Sequence, residues 1–196
     1  MIPKIEFRYS SIYDSKYREN FEKKGENYPS PEEILNYTKK INNLWNKKGK
    51  MILRNISEIT KLNWKEEKII CYVIGKGKCF SDPLTIKIYP DSEEFITNLI
   101  HELIHQIQTQ NNSKFKKWFE EINNLYINKS RLTKNHILLD AFLSKIIEKL
   151  YSKNKLSKII KKDSESADYK IAWEIVQKEG VDNIIRKFRQ INRREK

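Results

Sequence analysis

A chain of 196 residues, 38% hydrophobic and 33% charged, suits a single globular domain with a real core and a heavily charged surface. Its apolar runs fall well short of a membrane span, and Met1-Ile2-Pro3-Lys4-Ile5-Glu6 lacks the apolar stretch of a secretory signal, so the expected location is cytoplasmic. The formal net charge of +13 can attract nucleic acid, anionic lipid or acidic substrates, but it is spread along the chain, is denser only over 186–196, and comes with no recognition motif.

Ile5-Glu6-Phe7-Arg8-Tyr9 alternates apolar and charged residues, the pattern of a half-exposed strand. Residues 13–24 offer a short helix with a poor pattern. Ser30-Pro31-Glu32-Glu33 is a helix start, with Ser as cap, Pro at the first position and acids in the first turn. Ile34, Leu35, Thr38, Ile41, Leu44 and Trp45 then form one stripe, and a separate helix carrying Met51, Ile52, Ile56 and Ile59 is expected after Gly49.

Residues 68–74 are rich in β-branched side chains and end at Gly75-Lys76-Gly77. A second strand is expected over 84–89, bounded by Pro83 and Pro90, and the two strands are expected to pair antiparallel. Cys71 and Cys79 flank the glycine turn and do not form a C-x-x-C pair. Two buried thiols in a reducing compartment are the expectation.

From Asp91 onward the chain reads as helical. Asp91 to Glu94 has capping-box spacing, and Phe95, Ile96, Leu99, Ile100, Leu103, Ile104 and Ile107 give a broad apolar face. Asn98, His101, Glu102, His105 and Gln108 gather on the other side as a polar stripe. Further helices are expected over 113–127, 133–151, 168–179 and 181–191, with Gly180 separating the last two and Trp173 in the core. The polar segment 153–166 reads as a loop or a poorly packed stretch.

His101-Glu102-Leu103-Ile104-His105 spells H-E-x-x-H, and the chain holds three histidines in all. Residues four apart on a helix share a face, so two imidazoles can grip one metal ion, with Glu102 beside them as general base for water. A catalytic zinc takes three protein ligands and keeps one position for water. His136 is the first choice for the third ligand. Asp140, one turn later in an otherwise apolar helix, is the choice for an outer hydrogen-bond partner and the next candidate ligand; Glu148 and Glu165 are more distant ones. Tyr126, Tyr151 and Tyr169 are candidates by residue type to stabilise a carbonyl oxygen under attack.

These residues resemble the zincin metallopeptidases, in which an H-E-x-x-H helix packs beneath a small mixed sheet. Within that group the similarity is to the gluzincins, including their small archaeal minimal versions. There the third ligand is a Glu on a later helix, often followed four residues on by an Asp that supports the first His. This chain carries His136 and Asp140 at that spacing, with His in place of Glu. The resemblance covers residues 68–151. It implies an α+β fold with a small mixed or antiparallel sheet, an edge strand that aligns the substrate backbone (84–89 or its hairpin neighbour), and a Zn²⁺ cofactor. The expected protein is therefore a single-domain zinc metallopeptidase of peptide or protein substrates, with its core at 68–151 and a helical extension at 152–196. His101, His105 and His136 would hold the metal, Glu102 would activate water and Asp140 would orient a ligand. The alternative expectation is a basic nucleic-acid-associated protein whose metal site is regulatory or structural.

Overall fold

The computed structural model describes residues 1–193; of the basic stretch 186–196, residues 194–196 lie outside them. The fold is α+β, with eight helices and one four-stranded sheet among the described residues. The chain forms two compact units: Met1–Arg54 with Asn63–Gln110, and Asn55–Leu62 with the chain from Asn111 onward. No described helix is long and apolar enough to cross a membrane.

The first unit is built on strands β1 (Lys4–Arg8), β2 (Lys68–Ile74), β3 (Phe80–Ser81) and β4 (Leu84–Lys87), in the order β1-β2-β4-β3. β1 pairs parallel with β2, in register Lys4 to Lys68, and β2 pairs parallel with β4, in register Tyr72 to Thr85. The antiparallel pairing expected between 68–74 and 84–89 is therefore not formed. The antiparallel partner of β4 is β3, in register Phe80 to Thr85. The chain leaves β2, runs back along β3 and turns again, so it enters β4 in the direction of β2. A strand as short as Phe80–Ser81 is too brief to show an alternating pattern, which is why the sequence conceals this reversal.

Two helices occupy the crossover that a parallel β1–β2 pair requires. Helix α1 (Ser11–Glu22) is capped by Ser10, whose side chain accepts from the Tyr13 amide. The Tyr13 ring lies 4.9 Å from that of Tyr72, and its hydroxyl is 2.8 Å from the Thr85 hydroxyl, which fixes α1 on the Tyr72 side of the sheet. Asp14 is fully buried there, accepting from the Tyr28 hydroxyl at 2.5 Å, the Gly75 amide at 3.1 Å and Arg18 at 3.2 Å.

Helix α2 (Pro31–Thr60) is one continuous helix, not two. Gly49 does not break it, because the missing side chain makes room for an aromatic ring. A Cβ at Gly49 would sit 2.3 Å from Trp45 Cε2. Trp45 in turn meets Phe7 of β1 edge-on at 5.9 Å. Helix α3 (Ser92–Gln110) starts where Asp91 Oδ1 accepts from the Glu93 amide at 2.8 Å. Phe95, Leu99, Ile100, Leu103, Ile104 and Ile107 are fully buried on one face, and Phe95 reaches Phe7 at 6.0 Å. Helices α2 and α3 thus both pack on the Phe7 side of the sheet.

The second unit is helical. A 3₁₀ turn at Asn112–Lys114 precedes α4 (Lys116–Leu125), so the helix expected over 113–127 is shorter and starts later. Then come α5 (Arg131–Leu150), α6 (Lys153–Asp163), α7 (Ala167–Glu179) and α8 (Val181–Arg193). Helix α5 packs against α4, α6, α7 and α8 and is the axis of the unit. Its N-cap, Ser130, accepts from the Thr133 amide at 3.0 Å. Phe188 of α8 anchors an aromatic cluster with Phe115, Trp118 and Phe142.

The segment 153–166 contains a helix, not a loop. Ser152 caps α6, and Leu156, Ile159 and Ile160 give it an i, i+3, i+4 apolar strip with Leu156 buried. Between α7 and α8 the chain turns at Gly180, whose φ of 84° suits glycine and whose amide closes the helix on the Val176 carbonyl.

Candidate metal centre

In the first unit, α3 carries His101 and His105 one turn apart. Their ring centroids are 5.2 Å apart with planes at 69°, and both side chains are half-buried. The apolar face of α3 is committed to the core, so the opposite face is left for Asn98, His101, His105 and Gln108, all half-exposed. Glu102 departs from the expected open polar stripe, because it is only 9% exposed. Burial pushes its carboxyl up to about 7.

Burial also raises the Cys71 and Cys79 thiols, and the Glu102 charge adds to both shifts. Both cysteines are free, and neither belongs to the group of side chains that could hold a metal ion. Gln106, one residue past His105, binds the Ser81 carbonyl through its side-chain amide and so ties α3 to strand β3.

In the second unit, His136 lies in the second turn of α5 and is 3% exposed, so it is a buried histidine. Its Nδ1 is 2.8 Å from the carbonyl oxygen of Leu132, one turn earlier. A carbonyl only accepts, so Nδ1 carries the proton. Burial lowers the pKa of the ring, with the Leu132 carbonyl and the Asp168 charge opposing it, and the neutral ring presents Nε2 as its donor atom. The Tyr169 ring packs edge-on against His136 at 4.5 Å. Asp168 is fixed beside them by the hydroxyls of Ser130 and Thr133.

Asp140 is fully buried one turn further along α5, but it does not make the expected hydrogen bond to a ligand histidine. Among the described residues, neither of its carboxyl oxygens has a hydrogen-bond partner. Burial, and then the charge of Asp163, hold this carboxyl well above the usual carboxylate range. The Leu132 carbonyl takes the supporting role for His136. Backbone atoms leave no mark in a residue pattern, and nothing in the sequence singles out Leu132.

His101, His105 and His136 each offer one ligand atom, and these atoms all lie within 4.8 Å of one another. The three can hold a metal ion. Three imidazoles suit zinc and other late transition metals, and three protein donors match a centre that keeps a position for water. Glu148 and Glu165 are exposed and take no part in the group.

Three cations in the described part of the basic stretch are engaged within their own unit. Arg189 donates to the Ile59 carbonyl at 2.8 Å, Lys187 pairs with Glu121 at 2.7 Å and Arg186 bonds Asn183 at 2.7 Å. Comparison of the chain with protein-family models, curated proteins and solved structures gave no match.

Proposed function

We propose that this protein is a zinc-dependent peptidase whose metal is held by His101, His105 and His136. The observation that carries the reading is the gathering of these three imidazoles within 4.8 Å, with Glu102 next in sequence to the first of them. Zinc held there would supply a Lewis acid that makes water a nucleophile near neutral pH and polarises a substrate carbonyl.

The remaining chemistry belongs to the chain. Glu102 takes the proton of the attacking water on its carboxylate and passes it to the amine that leaves when the C–N bond breaks. Its buried setting, with a carboxyl raised to about 7, suits a group that must both accept and release a proton near neutrality. Tyr169, in ring contact with His136, is the tyrosine best supported as a donor to the carbonyl oxygen.

The strand that would align a substrate is β3, in place of the 84–89 strand or its 68–74 neighbour expected from the resemblance. Strand β4 is paired on both sides, by β2 and β3, and offers no free edge, whereas β3 ends the sheet and is held to α3 by Gln106. An extended peptide added to β3 would present its backbone beside the helix that carries the histidines.

The test is hydrolysis of casein or a quenched fluorescent peptide library by protein purified without chelator or a His tag, with metal content measured in parallel. We expect one zinc per chain. Glu102→Gln should cut turnover by about 10²–10⁴-fold while zinc content and melting temperature stay near those of the parent. Turnover that survives in this variant would remove Glu102 as the base, and absence of bound metal would remove the whole reading.

A further inference from the structure

A groove of about 690 Å³ runs between β1 and α2 in the first unit. Its wall on the sheet side is formed by consecutive residues from Ile2 to Phe7. Successive side chains of a strand point to opposite faces, so an unbroken run in the wall means that the groove follows the strand's edge rather than one of its faces.

That edge is open. Among the described residues, β1 ends the sheet and pairs only with β2. The Lys4 amide donates to the Glu67 carbonyl at 2.8 Å, so the peptide groups of Lys4, Glu6 and Arg8 face β2. The amides and carbonyls of Ile5 and Phe7, and the carbonyl of Pro3, therefore face the groove. Proline, which has no amide hydrogen, is tolerated at Pro3 for the same reason.

The opposite wall is a stripe of α2 made by Leu35, Lys39, Asn42, Asn46 and Lys50. The stripe contains two lysines and no acid, and Leu35 is 43% exposed. Lys4 adds a third cation from the strand. Among the described residues, none of these three lysines has an ion-pair partner. The one acid in the wall, Glu6, is neutralised by Arg8 at 2.6 Å and Lys68 at 3.6 Å.

We propose that this groove is a docking site for an extended acidic peptide segment, which adds to β1 as a further strand and sets its acidic side chains against Lys39 and Lys50. Backbone pairing to Ile5 and Phe7 gives affinity, and the lysines select the charge. A second copy of this chain is the poorer occupant: it would bring the same lysines to face these, on a chain of net charge +13. The site is separate from the histidine centre, and its argument does not depend on the peptidase reading.

The probe is a fluorescein-labelled eight-residue peptide alternating glutamate with valine, followed by fluorescence anisotropy on the full chain at low salt. EDTA is present, so no metal-dependent hydrolysis can consume the probe. Binding in the micromolar range is expected. The matching lysine–valine peptide, and the Lys39→Glu/Lys50→Glu double variant, should each bind at least tenfold more weakly. N-methylation of alternate amides on the face that pairs with β1 should abolish binding, while methylation of the other set should not. Both lysines are exposed on α2, and circular dichroism checks that the variant is folded. Equal affinity for acidic and basic peptides, or indifference to both methylation patterns, overturns the proposal. So does a concentration-dependent dimer in sedimentation that the acidic peptide dissociates, because the edge would then belong to a second copy.

Discussion

His136 donates its Nδ1 proton to the carbonyl oxygen of Leu132, 2.8 Å away on the preceding turn of α5. This bond sets the tautomer of a buried ring and leaves Nε2 as the atom with a lone pair. It needs no second side chain, and it explains how a histidine can stand ready as a ligand while Asp140, one turn on, makes no hydrogen bond through either carboxyl oxygen. The two residues should then behave oppositely when changed. His136→Ala should weaken zinc binding by at least about 100-fold, since two imidazoles alone hold the ion poorly. Asp140→Asn should change it by less than about threefold, because loss of a true supporting partner typically costs 10–100-fold. Competition with a chromophoric chelator measures both, and a tenfold loss in Asp140→Asn would restore that residue to the role the sequence suggested.

Tyr169 meets the His136 ring at 4.5 Å. If its phenol donates to the carbonyl oxygen during attack, Tyr169→Phe should lower kcat by about 10²-fold or more with KM little changed and zinc retained. Steady-state kinetics on one fluorogenic peptide separate the two constants. A variant with full kcat would reduce Tyr169 to packing against the histidine.

Burial raises the Asp163 carboxyl to about 6, despite the hydrogen bond it accepts from Trp173 Nε1 at 3.2 Å. The folded protein therefore holds this proton more tightly than the unfolded chain, whose aspartate has the ordinary value of 3.8. Below about pH 4 both states are protonated and the group costs nothing. As pH rises through the window from about 4 to 6 the unfolded chain ionises first, and stability falls by on the order of 3 kcal/mol. Asp163→Asn should remove that slope and raise the melting temperature at pH 7 more than at pH 4. Thermal scans across pH 4–8 follow the difference between variant and parent, which should be flat if Asp163 carries no such penalty.

Gly49 lies within α2, where a Cβ would come 2.3 Å from Trp45 Cε2. Helix propensity alone favours Gly→Ala by about 1 kcal/mol. Here the displaced indole is wedged against Phe7, so Gly49→Ala should destabilise the protein by about 1–3 kcal/mol, as overpacking does. Chemical denaturation gives the sign directly. Stabilisation would mean that Trp45 swings aside at little cost.

Local patterns read well where one residue's neighbours decide the outcome. Ser30-Pro31 opened α2, the alternation at Ile5 and Phe7 made β1, and Gly180 closed α7, each through backbone geometry or a cap that sequence neighbours supply. Gly49 misled because its missing side chain makes room for the Trp45 ring one turn earlier in the same helix, instead of ending the helix. The direction of β4 was hidden because a strand's pattern records which face is buried and says nothing about which way its neighbour runs.

The same division holds at the candidate site. The sequence by itself determined that His101 and His105 share a helix face with Glu102 between them, because a 3.6-residue repeat guarantees it. It also made His136 the first choice for a third ligand, because a His and an Asp four apart stand out in an otherwise apolar helix. Only the tertiary structure decided that His136 comes within reach of the other two, that Glu102 is buried, and that a backbone carbonyl rather than Asp140 orients the third ring. Those facts turn on solvent exclusion and on distances between residues far apart in the chain, and neither is set by any residue's immediate neighbours.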